Sequence, residues 1–203
     1  MEKRTAVIRP AKFETRERTN DAGQKELIIA GYFSRFDDIY TIAEYDDYTL
    51  TESVDPAAFH LDRDKDVRAL NNHDAKLVIG RTTNGTLTLR TDETGLYGEI
   101  VINPNDTDAT NLYYRVQRGD VSQCSFGFFV KDYEETRTPR GWHRVLKDVE
   151  LFEVSACTFP AYEMTSIQAR AADTENLKRR VFDEWKANTR AKHDWLKEKT
   201  NNA

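Results

Sequence analysis

Three short segments carry the side chains that could perform hydrolysis, and they occur in a fixed order along the chain. Asn72–Asp74 contains a histidine, Ser125–Phe128 a serine, and Glu153–Ser155 a carboxylate. Hydrolysis by a serine needs a base that takes the hydroxyl proton and a third group that orients the base. Each segment lies within or beside a run typical of a β-strand. The sequence therefore offers all three side-chain types on elements stiff enough to hold them.

Side-chain alternation separates Ser125 from the more apolar face of its strand. Cys124 and Phe126 share one face, whereas Ser125 and Gly127 share the other. Cys124 is therefore interpreted as a core residue and not as a rival nucleophile. Gly127 is expected to leave room for a peptide backbone to approach. The alternative for Ser125 is one hydroxyl in a half-buried strand, and the residues alone leave both interpretations open.

His73 is the candidate base because an imidazole has an unperturbed pKa of about 6.5. It ends a strand-like run, so the alternative is a surface histidine at a strand end, which the residues alone favour. The other three histidines are weaker candidates. His60 lies in a predicted short helix, His143 just after a turn, and His193 in a charged tail.

Glu153 is the candidate third member, because it stands on a predicted strand face that is largely apolar. The other members of that face are Leu151, Cys157 and Phe159. A buried carboxylate without a partner is costly, so a partner is expected. That partner could be His73 or, alternatively, an arginine or lysine in a structural ion pair. His143 competes with Glu153 for the third position.

Five short matches in one order resemble the prohead maturation proteases of tailed bacteriophages, which are relatives of the herpesvirus assemblins. The resemblance spans residues 31–169, and no single match is specific. The matching segments are Asn72–Asp74 after an apolar approach, Gly95-Leu96, Arg118-Gly119, Ser125–Phe128, and Glu153–Ser155 leading into Pro160–Tyr162.

This resemblance implies a serine endopeptidase in which Ser125 attacks, His73 shuttles the proton and Glu153 orients His73. Assemblins use a second histidine as the third member. The predicted strand around Glu153 has no histidine, so the role would have passed to a carboxylate, with His143 as the competing candidate.

The resemblance also implies an oxyanion site in the loop after the third-member strand, built from backbone N–H groups. The matching segment is 159–162. Pro160 has no N–H to donate, so Ala161 or Tyr162 would have to serve.

The fold that the resemblance implies is mainly β with helices (α+β): a closed or nearly closed antiparallel β-barrel of the herpesvirus-assemblin type, with helices packed outside. The implied substrates are the scaffolding region of the major capsid protein, any separate scaffold protein, and the protease itself. A homo-oligomer, as a dimer, is expected, with no cofactor and no metal. The implied location is the assembling prohead in the host bacterial cytoplasm. The alternative is a non-enzymatic scaffold or capsid-assembly protein with the same fold.

Composition narrows the class of protein further. The 203 residues are 38% hydrophobic and 32% charged, which predicts one ordinary domain with an appendage. A formal net charge of −5 disfavours a general nucleic-acid binder. The two cysteines have no spacing typical of zinc or disulfide frameworks. No apolar run approaches membrane-spanning length and no signal peptide is recognised, so we expect a soluble protein kept in a cytoplasm.

The pattern of turn residues and apolar alternation predicts the order of elements. Predicted, in chain order, are a hairpin over 5–36, a polar loop over 37–51, a short helix from Asp55-Pro56, two or three strands over 77–102, a helix over 106–118, and strands over 121–133 and 142–159 joined by a charged excursion.

A change of composition after Arg170 divides the chain into two predicted parts, a protease barrel domain over 1–170 and a charged tail over 171–203. Residues 173–200 are predicted to form one amphipathic helix with a narrow apolar stripe. The stripe consists of Leu177, Val181, Trp185 and Leu196. Such a helix must pack on the body, on a partner or on a second copy, and we expect it to be an interaction element.

Overall fold

The protein is mainly β. The computed structural model describes residues 3–7, 13–36, 38–158, 175–188 and 190. Within these ranges the chain forms eleven strands and two helices, with a one-turn 3₁₀ helix at Thr82–Asn84. In chain order they are β1 (Lys3–Val7), β2 (Glu14–Thr19), β3 (Lys25–Arg35), β4 (Tyr40–Tyr45), β5 (Tyr48–Val54), β6 (Arg68–Asn71), β7 (Asp74–Arg81), β8 (Leu87–Thr91), β9 (Gly95–Ile102), α1 (Thr107–Arg118), β10 (Gln123–Thr138), β11 (Gly141–Cys157) and α2 (residues 175–188).

The strands form two sheets, and β11 is the central strand of the larger one. The seven-stranded sheet has the order β1-β10-β11-β5-β4, and β6 pairs with both β11 and β7. One edge of β11 runs antiparallel to β10 along its length. Its other edge is shared, because the first part pairs in parallel with β5 and the last part in parallel with β6. The smaller sheet has the order β2-β3-β9-β8.

The predicted mainly β fold with helices is confirmed, but the strands of the described residues do not close into a barrel. Each sheet ends in strands that have a partner on one side only within these residues. The two parallel pairings of β11 also differ from the antiparallel arrangement expected. Alternation along a strand indicates which face is buried but not which strand lies beside it or in which direction.

Helix α1 agrees with the helix predicted over 106–118. Asp106 accepts hydrogen bonds from the first backbone N–H groups of the helix, and Gly119 ends it with a left-handed φ of 88°. The apolar face of α1 is buried in the main core, through Ala109, Leu112, Tyr113 and Val116. The predicted turns at 20–23, at Asn84-Gly85 and at 91–95 also join strands.

Two loop and helix predictions before residue 60 are wrong. The stretch expected as a polar loop contains the β4–β5 hairpin, whose alternating aromatic and β-branched residues pair across a turn at Asp46-Asp47. The helix expected at Asp55-Pro56 is a turn instead. The Asp55 carboxylate accepts the N–H of Ala57 and the Asp55 carbonyl accepts that of Ala58, so one turn forms and the chain does not continue as a helix.

The charged excursion expected between the last two strands is itself part of the sheet. β10 and β11 form one long hairpin whose strands continue to a tight turn at Pro139-Arg140. Most residues of β10 beyond Val130 are exposed, and many of them are charged. Because these residues are polar, the sequence shows no apolar alternation there, and the strand was not predicted.

A β-bulge on β11 changes which residues share a face with Glu153. Gly127 pairs with Glu153, but the next residue of β10 pairs with Leu151, so Phe152 is extra. Leu151 consequently turns into the main core, and the prediction that it shares the face of Glu153 is wrong. The bulge leaves Glu153 on the face away from the core.

Helix α2 packs on the body through a small apolar cluster that is distinct from the main core. Leu177 is buried against Ala43, Leu50 and Trp142. Arg180 adds an ion pair to Glu135 at 2.5 Å. No described helix is both long and apolar enough to cross a membrane.

A chain ending near Arg170 is expected to fold and to keep its predicted catalytic residues. It is expected to lose association with a second copy of itself or with the inner shell of the prohead. The physical reason is that Leu177 contributes to a small cluster beside the sheet and not to the main core. Circular dichroism and light scattering on the shortened protein measure both properties. A shortened chain that is unfolded would show instead that α2 belongs to the folding unit.

Candidate active site

His73 occupies a turn position that is unfavourable for a residue with a side chain. Asn72 and His73 connect β6 to β7 and have positive φ angles of 53° and 60°. A two-residue hairpin turn with both central φ angles positive favours Asn followed by Gly. A left-handed conformation costs a non-glycine residue about 1–2 kcal/mol. A histidine where glycine would suit the backbone indicates that the side chain is needed there.

Contacts with the end of β11 hold this turn in place. The Asn72 N–H donates to the Ala156 carbonyl at 3.0 Å, and the Asn72 side chain accepts from the Thr158 N–H at 2.8 Å. The His73 N–H donates to Ser155 Oγ at 3.3 Å. The turn is therefore fixed to the strand that carries Glu153, even though the two segments are far apart in sequence.

The His73 ring is bonded to the Glu153 carboxylate. Nδ1 of His73 lies 2.6 Å from Oε1 of Glu153, and both side chains are nearly buried, 11% and 6% exposed. An ionised carboxylate only accepts hydrogen bonds, so Nδ1 carries the proton. A neutral ring with its proton on Nδ1 would have its lone pair on Nε2, which is the arrangement that a general base requires.

The two alternatives, a basic partner for Glu153 and His143 as the third member, are not supported by the contacts of these residues. Arg68 is the neighbour of Glu153 in the sheet, but its guanidinium bonds to Asp66 at 3.1 Å. His143 contacts the hydroxyls of Thr51 and Ser53 at 2.9 and 3.0 Å. It lies ten residues before Glu153 on the same strand, roughly 30 Å away at the usual strand rise.

Ser125 lies on the same face of the sheet as Glu153. It pairs directly with Ser155 across β10 and β11, and Gly127 pairs with Glu153. Directly opposed residues share a face, with Cα atoms about 4.5–5.5 Å apart. Cys124 and Phe126 point into the main core, as alternation predicted, and Ser125 is fully buried on the opposite face.

The space beside Gly127 is occupied, contrary to the prediction that a peptide backbone would approach there. A Cβ atom at Gly127 would lie 2.6 Å from Glu153 Oε1 and 2.7 Å from the Phe152 ring. The glycine therefore makes room for the carboxylate that bonds to His73. Sequence reasoning missed this role because the bulge that brings Phe152 and Glu153 together is not visible in the alternation.

Sequence reasoning also missed Cys157 as a neighbour of the site. Its Sγ lies 3.6 Å from His73 Nε2. Burial, together with the nearby Glu153 carboxylate, raises the pKa of the Cys157 thiol to about 12. The thiol is thus neutral at ordinary pH, and a neutral thiol is a poor nucleophile. Within the described part of the chain, the ring contacts of His73 are those to Glu153 and Cys157.

The remaining predicted site residues, Ala161 and Tyr162, lie outside the described residues, as do 159 and 160. Over the ranges that the structure describes, no group of three or more His, Cys, Asp or Glu side chains is placed to hold a metal ion.

A serine hydrolase uses a hydroxyl, an imidazole and a carboxylate, and the described site contains these three kinds of group. Residues 11–180 match the family model of the Caudovirus prohead serine protease. The chain therefore belongs to this family, and the prediction of a prohead serine protease is confirmed over that of a non-enzymatic scaffold protein.

Two individual proteins are similar to the chain. The prohead protease of Enterobacteria phage HK97 is 29% identical over 168 residues, covering 80% of this chain and 68% of the relative. The solved structure of the bacteriophage T4 capsid assembly protease has a TM-score of 0.49 and 12% identity, covering 79% of this chain and 100% of that one. A TM-score of this size does not establish a shared fold, so the family assignment rests on sequence.

Replacing Glu153 by Gln is expected to lower activity by about two orders of magnitude or more, since an amide keeps the shape but cannot stabilise an imidazolium. His143→Ala should stay near the wild-type rate, because His143 contacts only remote hydroxyls among the described residues. Initial rates of both purified variants on one peptide substrate provide the comparison. A larger loss with His143→Ala would reverse the assignment of the third member.

Gly127→Ala is expected to lower the turnover of correctly folded protein, because the new methyl group displaces the Glu153 carboxylate from His73. Gly98→Ala is the matched control: its Cβ would meet Phe33 at 2.6 Å in the smaller sheet. Both changes should destabilise the fold, but only Gly127→Ala should lower the rate per folded molecule. A thermal denaturation curve of each variant gives the folded fraction by which its measured rate is divided. Equal rates per folded molecule would contradict this role for Gly127.

Proposed function

We propose that Ser125 is the nucleophile of a serine endopeptidase, with His73 as general base and Glu153 as the group that orients His73. The observation that carries this proposal is the 2.6 Å contact between His73 Nδ1 and Glu153 Oε1, made on the face of the sheet that also carries Ser125. Family membership supplies the serine protease chemistry. The geometry supports these three residues as the ones that perform it.

In the first half of the reaction, Ser125 Oγ attacks the carbonyl carbon of the scissile peptide bond while its proton passes to His73 Nε2. The imidazolium that forms keeps its Nδ1 proton bonded to the Glu153 carboxylate, which stabilises the positive charge. His73 then donates the proton from Nε2 to the leaving amine, and the C–N bond breaks. The products are a free amine and an acyl ester on Ser125.

In the second half, a water molecule attacks the ester while His73 Nε2 takes the water proton. The proton returns to Ser125 Oγ as the ester C–O bond breaks, and a carboxylic acid leaves. The negative charge on the carbonyl oxygen in both halves needs N–H donors. Ala161 or Tyr162 is proposed to supply them from the segment that follows β11.

The reaction requires His73 Nε2 to approach Ser125 more closely than the resting contacts indicate. Nε2 lies 3.6 Å from Cys157 Sγ, and Cys157 is two residues beyond the direct partner of Ser125. Catalytic hydrogen bonds are often long before substrate binds and shorten in the complex. Ser125 is also fully buried, so we infer that substrate entry moves the segments that cover it.

The proposed substrates are the scaffolding region of the major capsid protein, any separate scaffold protein, and the enzyme itself. The proposed place of action is the inside of an assembling prohead in the host bacterial cytoplasm. The relation to assemblins adds three hypotheses: the two sheets correspond to an assemblin-type barrel, the active form is a homodimer, and residues 1–170 carry the catalysis while residues 171–203 mediate assembly.

Ser125→Ala should abolish cleavage while leaving the fold intact, since losing the nucleophile costs several orders of magnitude in rate. The measurement is co-expression with the adjacent capsid gene, followed by intact-mass spectrometry of the capsid subunit. A capsid subunit trimmed at the wild-type rate by the Ser125→Ala variant would show that the nucleophile is another residue.

A fluorophosphonate probe provides an independent control for this test. Peptide mapping of the labelled wild-type protein should place the adduct on Ser125, and His73→Ala should greatly slow labelling because the hydroxyl then lacks its base. Circular dichroism of each variant confirms that the loss of labelling is not a loss of fold.

A further inference from the structure

We propose that Ser155 is a positioning residue of the catalytic site, which holds both the Glu153 carboxylate and the His73 turn in their reactive geometry. This inference rests on the proposed roles of His73 and Glu153. It concerns a hydroxyl that lies in the Glu153–Ser155 segment and to which the triad assigns no role.

Ser155 contacts both halves of the histidine–carboxylate pair. Ser155 Oγ donates to Glu153 Oε2 at 2.7 Å and accepts from the His73 N–H at 3.3 Å. The hydroxyl proton is committed to Glu153, because a carboxylate only accepts. One lone pair of the oxygen is committed to the backbone of His73. A single buried hydroxyl thereby links β11 to the β6–β7 turn.

The bond to Oε2 determines which way the carboxylate faces. Oε1 bonds to the His73 ring and Oε2 bonds to Ser155, so the carboxylate plane is held at both oxygens. Without Ser155, Oε2 would be buried with an unmet acceptor, and Glu153 would rotate to seek another donor. The His73 ring would follow, because its Nδ1 proton is bonded to the same group.

The hydrogen bond from the His73 N–H to Ser155 Oγ holds the backbone of the histidine. His73 has a left-handed φ of 60°, which is unfavourable for its residue type. A backbone conformation of this kind persists when the surroundings over-determine it. Ser155 Oγ supplies one such contact directly at the strained residue. Its removal would therefore loosen the base as well as the carboxylate.

Ser155 and Ser125 are neighbours, but their hydroxyls have different contacts and cannot take each other's role. The two serines are direct partners across β10 and β11, and both are fully buried. Of the two serines, Ser155 is the one whose hydroxyl bonds to the Glu153 carboxylate among the described contacts. The other oxygen of that carboxylate bonds to His73. The two hydroxyls thus have different duties: attack for Ser125, and support of the base for Ser155.

The test compares Ser155→Ala with a matched control in the full-length protein. Ser155→Ala should lower kcat by about tenfold to a hundredfold with little change in KM, the loss expected when a base is displaced by up to an ångström. Ser34→Ala deletes an equally buried hydroxyl that makes no hydrogen bond among the described residues, and should retain the wild-type kcat. Wild-type kcat in a folded Ser155→Ala variant would overturn the proposal.

A spectroscopic readout distinguishes positioning from a general structural role. The proton on His73 Nδ1, bonded to Glu153, should give a downfield resonance in ¹H NMR that is retained in Ser125→Ala. In Ser155→Ala this resonance should shift or broaden through faster exchange with water. An unchanged resonance together with unchanged kcat would assign Ser155 to the fold alone.

Ser155→Cys keeps the inference testable if the alanine variant does not fold. A thiol is nearly the same size but donates only weakly, so the kcat of the folded Ser155→Cys variant should fall below that of wild type. Wild-type kcat in Ser155→Cys would also count against the role.

Different results would overturn the proposed catalytic triad and the proposed role of Ser155. Full activity in Ser125→Ala overturns the proposed function, whereas full activity in Ser155→Ala with an inactive Ser125→Ala variant overturns only the present inference. A fluorophosphonate adduct on Ser155 would overturn both.

Discussion

The arrangement of the site depends on the burial of one carboxylate. Glu153 is 5% exposed, and an ionised group in such surroundings is unfavourable unless it is hydrogen-bonded. Its two oxygens bond to His73 and Ser155, and a charge-assisted bond of this kind is about twice as strong as a neutral one. The need to satisfy this buried group ties the histidine turn to β11. The same need accounts for the glycine in the neighbouring strand, because any side chain at Gly127 would occupy the space of the carboxylate.

The unusual pairing of β11 makes this arrangement possible. Its last residues have β10 on one side and β6 on the other, so the candidate nucleophile and the base approach Glu153 from opposite edges of one strand. The bulge at Phe152 then turns Glu153 away from the core while its neighbours Leu151 and Val154 remain inside. A regular strand puts Leu151 and Glu153 on one face, so it would have placed either the carboxylate in the core or Leu151 outside it. The bulge therefore resolves a conflict between packing and chemistry.

The sequence predicts local features of this protein well and distant pairings poorly. The helix over 106–118 and the opposite faces of Cys124 and Ser125 follow from short-range rules, and the structure confirms them. The cost of a buried carboxylate predicts a partner for Glu153 and leaves His73 and an arginine or lysine as alternatives; the structure shows His73, and its catalytic role stays a prediction. By contrast, the parallel pairing of β11, the bulge at Phe152 and the open sheets depend on residues far apart in the chain. Alternation carries no information about these partners.

Burial, together with the same carboxylate, makes the neighbouring thiol a poor candidate for the nucleophile. Cys157 Sγ is 3.6 Å from His73 Nε2, so distance alone would permit a cysteine–histidine pair. A thiol attacks as thiolate, and low thiol pKa values occur beside cations or helix N-termini. Here burial and the charge of Glu153 raise the pKa of Cys157 to about 12. A serine does not need to ionise in advance, because its proton leaves during attack and passes to the base. Burial, together with the negative charge of Glu153, therefore keeps the thiol protonated and leaves the hydroxyl usable, which favours serine over cysteine chemistry at this site.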